Sequence, residues 1–455
     1  MALLFTIAFR ILNTVSLTSY SKLNRRFYLY DELTHIDYFG SMLFLITWLL
    51  TFGCILIILR DPKHSSFLRL LTTVIAFLRA NVYFALNILE FYVRFELTLF
   101  PILLIIIGWG YQPERFSAGF ALIIYTIVGS LPFFIILILI SLFNIMNFNQ
   151  LFITPFNLSN SLLTFFFVIA FLVKLPIFSL HSWLPKAHVE APVYGSIFLA
   201  GTLLKLGGIG LFRIRKFISL YWGGILIILA LLALVLIGFI CLIVTDIKVL
   251  IAYSSVAHIG LAIIMALFLS QSSWVTSLIV YITHGLSSST IFLVAYLIYR
   301  RSNTRRIIIR QNITLTVPTL TLIWFIRCVG LLGGPPASTL LRELIGFSII
   351  FTNWFPASFF LIIGAFCGGA YSIMLYVRSA HGPQRQRSFS YKVLLSNELL
   401  VSFYHLFWLI FYFLLFFWLT TNFLVFCIIT YFRLTASLVP QTNILKTSKI
   451  ILISF

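Results

Sequence analysis

The sequence predicts an all-α integral membrane protein, and three observations predict it. Of 455 residues, 61% are hydrophobic and only 9% charged, whereas a soluble domain is about a quarter charged. A mean hydropathy of +1.09 leaves too little polar surface to cover a water-soluble fold. The apolar residues also fall into runs of about 20, the length at which a helix crosses a bilayer. A soluble enzyme is thereby excluded. So is a nucleic-acid-binding protein, despite a formal net charge of +20, because the basic residues lie between the apolar runs rather than along one face.

The spans can be taken in order. A first apolar run near residues 1–17, flanked by Arg10, Lys22, Arg25 and Arg26, has the look of a targeting segment but offers no small-residue cleavage site, so it is kept with the mature chain. Runs at about 39–59, 66–86 and 87–109 follow, the first closed by Arg60, Asp61 and Pro62. Next come 117–145, 161–181, 192–212, 221–244, 249–269 and 274–299. The last are 313–350, broken in the middle by Gly333–Pro336, then 358–377 and a long run over 397–432. That makes roughly 13 helices. The domain plan is a short N-terminal segment (1–36), a transmembrane domain (37–433) and a mixed tail (434–455) in which Ile444–Phe455 suits an interface.

Orientation follows from Lys and Arg in the short loops. Alternate loops on one side hold about fifteen, among them Arg60, Arg115, Lys186, Lys248, Arg300 and Arg385, against Arg213, Arg215 and Lys216 on the other. The first side is therefore the matrix or cytoplasmic one.

Some charges stand where charges are expensive. A charge at the bilayer centre costs at least about 2.5 kcal/mol. Glu90, Glu96 and Glu343 nevertheless fall within spans, as do Lys174 in FFFVIAFLVKLPIF and Lys205 in FLAGTLLKLGGIGLF. His258 and His284 lie in two more. One such charge is explained by a structural pair. Two lysines and two glutamates spread over four spans favour a shared use, the conduction of an ion or proton.

Two of these charges accompany breaks. Pro176 follows Lys174 by two residues, and Gly333, Gly334, Pro335 and Pro336 precede Glu343. Proline removes a backbone donor, so each break frees carbonyls at membrane depth, which is tolerated only inside protein or beside a cavity. Paired interruptions in two halves of a transporter mark its ion pathway.

The five cysteines stand singly in apolar runs, with no CxxC pair, and there is no GxGxxG or GxxxxGK[ST]. No ligand set for an iron–sulfur cluster or zinc, and no nucleotide cradle, is recognisable. Any electrons belong to other subunits.

The run VKLPIFSLHSWLPKAHVEAPVYGSIFLAGTLLKLGG (173–208) resembles the subunit 4 family of mitochondrial NADH dehydrogenase (ubiquinone), respiratory complex I. So do FELTLFP (95–101), GWGYQPER (108–115), YTIVGSLP (125–132), TDIKVLIAYSSVAHIG (245–260) and THGLSSS (283–289), in order along about residues 37–400. The resemblance implies an antiporter-like bundle of about fourteen helices with two inverted five-helix repeats, each holding one broken helix. It also implies the mitochondrial inner membrane, and partners among the complex I membrane-arm subunits, especially the antiporter-like subunits 2 and 5, with lipid around them. NADH, flavin, iron–sulfur clusters and ubiquinone are expected in other subunits and no cofactor in this chain.

Carried over by position, Glu96 resembles the family's helix-five glutamate, Lys174 the lysine of broken helix seven and Lys205 the bridging lysine of helix eight. His258 and His284 resemble the polar residues that continue the central axis, and Glu343 the acid of broken helix twelve. Lys248 matches a family lysine at a helix start, where a snorkelling interface charge is the simpler role. His181, His188 and Glu190 fall in the seven–eight connection, suited to shaping the loop or to proton entry.

The chain also departs from the family pattern. Only about 36 residues precede the segment resembling the family's third helix, which implies one N-terminal helix fewer. Arg94 and Arg342 stand where the family has apolar residues or glycine. Arg94 shares a helix face with Glu90 at i,i+4, so the two are expected to pair and leave Glu96 for Lys174. Arg342 is expected to point away from the axis, toward lipid or a neighbouring subunit. The expected function is proton translocation coupled to NADH oxidation and ubiquinone reduction elsewhere in the complex. While Glu96 pairs with Lys174 the lysine keeps its proton; an opened pair lets it pass on. A stand-alone cation/proton antiporter and a purely structural spacer of the membrane arm are the alternatives.

Overall fold

The computed structural model describes residues 28–31, 34–59, 66–142, 161–214, 218, 220–268, 270–302, 304–307, 313–335, 337–381, 395–396 and 398–414. The run at 1–17, Pro336, the second half of the 397–432 run and the tail 434–455 lie outside these residues.

A two-stranded antiparallel hairpin, β1 (Tyr28–Asp31) and β2 (Thr34–Asp37), leads into the first helix; all other elements are helical among the described residues. The chain then runs through α1 (Tyr38–Ile58), α2 (Ser66–Tyr83), α3 (Ile88–Leu97), α4 (Leu99–Trp109) and α5 (Arg115–Leu142). After these come α6 (Ser161–Lys174), α7 (Trp183–Glu190), α8 (Val193–Phe198), a π turn (Leu199–Leu203), α9 (Leu204–Ile214) and α10 (Leu220–Ile243). The second half holds α11 (Ile247–Leu267), α12 (Gln271–Ser302), α13 (Ile313–Thr316), α14 (Pro318–Leu332), α15 (Thr339–Asn353) and α16 (Ala357–Ala380). A last described helix, α17, is Glu398–Leu414. Eight of the described helical stretches are long and apolar enough to span a bilayer, at the positions where the sequence places spans.

The interruptions follow from proline. Pro101, at the start of α4, has no N–H for the Leu97 carbonyl, and the 87–109 run splits into α3 and α4 there. Val317, just before Pro318, takes the extended conformation that a following proline favours, and α13 ends. Pro132 sits inside α5 without ending it.

The bundle is built around α12, which packs against α1, α8, α11, α14 and α15 and is buried along its apolar length. By contrast α16 offers Phe359, Ile362 and Phe366 outward, as a lipid- or subunit-facing helix does. At one end the connections are tied by charge. Arg305 lies 3.3 Å from Glu190 and 3.2 Å from Gln112, Arg301 lies 2.5 Å from Glu398, and Asp246 bridges to Arg306 through the backbone. This is the end whose loops the sequence marks as rich in Lys and Arg.

Candidate functional site

At the first break α6 stops at Lys174, and an irregular segment leads to α7. Pro176 cannot donate to the Leu172 carbonyl, and the Ile177 N–H takes that place at 3.3 Å. The Val173 carbonyl accepts from the indole N–H of Trp183 at 3.0 Å. Ser179 has φ of +85°, which turns the chain into α7. A freed backbone is thus re-satisfied from within the protein, as membrane depth requires.

Lys174 is buried and Glu96 about a fifth exposed; Nζ lies 3.2 Å from the carboxylate. The ammonium also donates to the Phe95 carbonyl at 3.0 Å and stands 3.1 Å from the centre of the Phe95 ring. Three electron-rich partners therefore hold one desolvated cation. Arg94 pairs with Glu90 on the same face of α3 and donates to the Asn81 carbonyl at 2.9 Å. The expected division of partners, Arg94 with Glu90 and Lys174 with Glu96, is the one observed.

Lys205 follows the π turn, a local widening that often accompanies function. Its Nζ donates to the Ala200 carbonyl in that turn and lies 3.0 Å from His284 Nδ1. Small residues let the backbones come this close. A Cβ on Gly285 would stand 3.0 Å from the Gly201 carbonyl and 3.2 Å from Lys205 Cε. The His284 and His258 rings are 6.1 Å apart. His258 Nδ1 in turn lies 3.0 Å from Arg342 Nη2, and the same nitrogen lies 3.3 Å from Glu343 Oε1.

The second break brings Glu343 to this line. Gly333 caps α14 in the left-handed region (φ +86°), and a Cβ there would lie 2.4 Å from the Glu343 carboxylate. The Thr339 hydroxyl donates to the Gly330 carbonyl at 2.6 Å across the gap. Pro335 lies within the break; Pro336 is outside the described residues.

Arg342 corrects the sequence reading. It is fully buried, bonded to His258 and within reach of Glu343, not turned to lipid. Neighbouring residues on a helix leave the axis about 100° apart, but that separates only the Cβ directions. A guanidinium on a three-methylene stem reaches back across the difference.

No hydrogen bond among the described residues joins Lys174 to Lys205. Between their helices Phe171 of α6 and Leu175 just beyond it pack on Gly207 and Gly210 of α9. The predicted residues thus form two groups, Glu96–Lys174 and Lys205–His284–His258–Glu343, with Arg342 inserted in the second.

Lys248 is not a snorkelling charge. It is buried and donates to the carbonyls of Val189 (3.2 Å) and Ala191 (2.9 Å), closing the C-terminal end of α7. Glu190 structures the same connection through Arg305. His188 is buried, stacked on Phe292 at 4.8 Å, and neither ring nitrogen has a hydrogen-bond partner among the described residues. His181 is half-buried beside Phe178. Sequence reasoning missed Arg79, Arg213 and Arg327, all buried. The signal was the one that revealed Lys174: each is a charge inside or at the end of an apolar run. Arg213 donates to the carbonyls of Tyr83 and Ala85, and Arg327 to that of Ser402.

Buried titratable groups strung between two interrupted helices of a multi-span bundle define a class, the antiporter-like membrane proteins. The comparisons with known proteins place the chain within it. Residues 85–371 match the family described as NADH:quinone oxidoreductase/Mrp antiporter, transmembrane. The chain is 37% identical over 393 residues to NADH-ubiquinone oxidoreductase chain 4 of Locusta migratoria, covering 84% of this chain and 86% of that one. With the same-named protein of Ceratitis capitata it shares 42% over 303 residues, 66% of this chain and 67% of the other. In fold it is similar to a chain of the respiratory complex I from Thermus thermophilus with bound NADH (TM-score 0.74, 22% identity, 83% and 81% covered). A chain of the Mrp complex from Dietzia sp. DQ12-45-1b is similar too (TM-score 0.73, 15% identity, 86% and 78% covered). This chain belongs to the NADH:quinone oxidoreductase/Mrp antiporter membrane family, among the NADH-ubiquinone oxidoreductase chain 4 proteins.

Proposed function

We propose that this chain is a membrane-arm subunit of respiratory complex I that carries protons across the mitochondrial inner membrane through Glu96, Lys174, Lys205, His284, His258 and Glu343. The observation that supports it best is the second group. Lys205, His284, His258, Arg342 and Glu343 follow one another from the π turn to the second break, with the two histidine ring centres 6.1 Å apart and the other steps at 3.0–3.3 Å. NADH, flavin, iron–sulfur clusters and ubiquinone belong to other subunits, and the nearest partners are the antiporter-like subunits 2 and 5.

The chemistry asks for groups that hold a proton reversibly and a trigger that changes their affinity. Burial disfavours the charged form of a lysine, and a carboxylate beside it restores that form. With Glu96 at 3.2 Å, Lys174 is held as the ammonium. When coupling to the redox subunits draws Glu96 away, Lys174 keeps only a carbonyl and a ring face, and its proton moves toward Lys205. The Lys205 Nζ and His284 Nδ1 atoms, 3.0 Å apart, are within direct proton-transfer distance. Because Lys174 and Lys205 are not bonded to each other, the transfer between the two groups is the step that the opening of the Glu96 pair controls.

The stand-alone antiporter reading rests on the likeness to the Mrp chain, which at 15% identity concerns the fold. The spacer reading predicts that the buried charges serve assembly. Glu96→Gln combined with Lys174→Met in the whole complex separates the proposal from the spacer reading. Comigration with an NADH-oxidising band on a native gel, together with a lowered proton yield per NADH, supports the proposal. Loss of the band supports the spacer, and an unchanged yield in an assembled complex ends the proposal.

A further inference from the structure

We propose that Arg342 is a gate in this axis: its guanidinium occupies the lone pair on which His258 takes a proton and releases it when drawn to Glu343. The inference rests on the proton path proposed above. Arginine has five N–H donors and no acceptor, so in its contact with Nδ1 of His258, at 3.0 Å, the imidazole nitrogen accepts. A neutral His258 then carries its hydrogen on Nε2, the nitrogen that lies 3.5 Å from the Tyr371 hydroxyl. Both ring nitrogens are engaged. A proton arriving from His284 finds no free lone pair until Arg342 moves.

The same Nη2 atom also donates to Glu343 at 3.3 Å, so a small displacement strengthens one contact and breaks the other. Among the described residues Nε and Nη1 have no hydrogen-bond partner that would pin it. The charged and titratable groups facing the guanidinium are His258 from α11, Tyr371 from α16 and Glu343 from its own helix, with Lys205 and His284 interacting at longer range. Glu343 is the one acidic side chain among these. As a carboxylate it attracts the guanidinium and opens His258. Once it holds a proton the attraction is gone and Arg342 returns to Nδ1. Each transfer breaks one N–H bond and makes another, and the last makes the O–H of Glu343; no electrons change hands. A proton that reaches Glu343 therefore closes the path behind it.

The test uses the assembled complex in proteoliposomes and two readouts, passive proton leak under an imposed potential without NADH and proton uptake during NADH oxidation. Arg342→Met should raise the leak roughly tenfold, the rate equivalent of losing one charge-assisted hydrogen bond. Arg342→Lys, which keeps donor and charge, should stay tight. Glu343→Gln should be tight and pump less, because the arginine is never drawn off His258. A wild-type leak in assembled Arg342→Met, or a leaky Glu343→Gln, overturns the gate. Should Arg342→Met not assemble, the Glu343→Gln leak decides alone. Full pumping by Glu343→Gln would instead overturn the path itself, so the two failures are distinct.

Discussion

Lys174 and Glu96 form a salt bridge of 3.2 Å between α6 and α3, made at the last residue before α6 breaks. The position matters because the break frees the chain beyond Lys174, while the pair ties its side chain to a separate helix. A swing of the Glu96 side chain changes that one distance and leaves the Phe95 carbonyl and ring beside the ammonium.

A contrast between two ion pairs follows. The Arg94–Glu90 pair is about a third exposed on each side, and exposed i,i+4 pairs are worth about 0.3–0.5 kcal/mol. Arg94→Leu should leave thermal stability within about 1 kcal/mol of wild type and the proton yield unchanged. Glu96→Gln, only two residues along, should lower the yield while the complex assembles. Equal effects of the two variants on proton yield would contradict the division of partners.

Trp183 is predicted to hold the first break together. Trp183→Phe keeps an aromatic ring but removes the N–H that serves the Val173 carbonyl, along with part of the buried indole. An unsatisfied buried acceptor costs about 1–3 kcal/mol. The expected result is a lower melting temperature of the complex, read by loss of its native-gel band on heating, with quinone reduction intact at low temperature. A melting temperature equal to wild type would show that the indole bond is dispensable.

Gly333 is constrained twice, by its φ of +86° and by the Glu343 carboxylate 2.4 Å from where a Cβ would lie. The left-handed conformation costs an alanine about 1–2 kcal/mol, and the methyl group must also displace Glu343. Gly333→Ala should therefore lower both stability and proton yield, whereas Gly334→Ala, whose conflict is with Val329, should lower stability alone. Identical yields for the two variants would remove Glu343 from the path.

Much of this was legible in the sequence, for a physical reason. Bilayer thickness sets the length of an apolar run, so the spans from 39–59 to 358–377 sit where helices do. The cost of burying charge singled out Glu96, Lys174, Lys205 and Glu343, and proline chemistry located both breaks. What the sequence does not display is reach and encounter. Arg342 enters the axis through the length of its side chain, and Tyr371 meets His258 only because α16 packs beside α10 and α15. The π turn before Lys205 has no periodicity signal of its own, because its residues are as apolar as those of an α-helix. Lys248 looked interfacial because it lies at a helix start, yet the carbonyls it serves come from a connection more than fifty residues away.

The central claim is that protons pass through Lys205, and the most direct test is the number of protons translocated per NADH by complex containing Lys205→Met, reconstituted in sealed vesicles. Methionine keeps the length of the buried stem and removes the amine that lies 3.0 Å from His284 Nδ1. The account predicts an assembled complex that oxidises NADH and reduces quinone with a lowered proton yield. An assembled complex with the wild-type yield would contradict it.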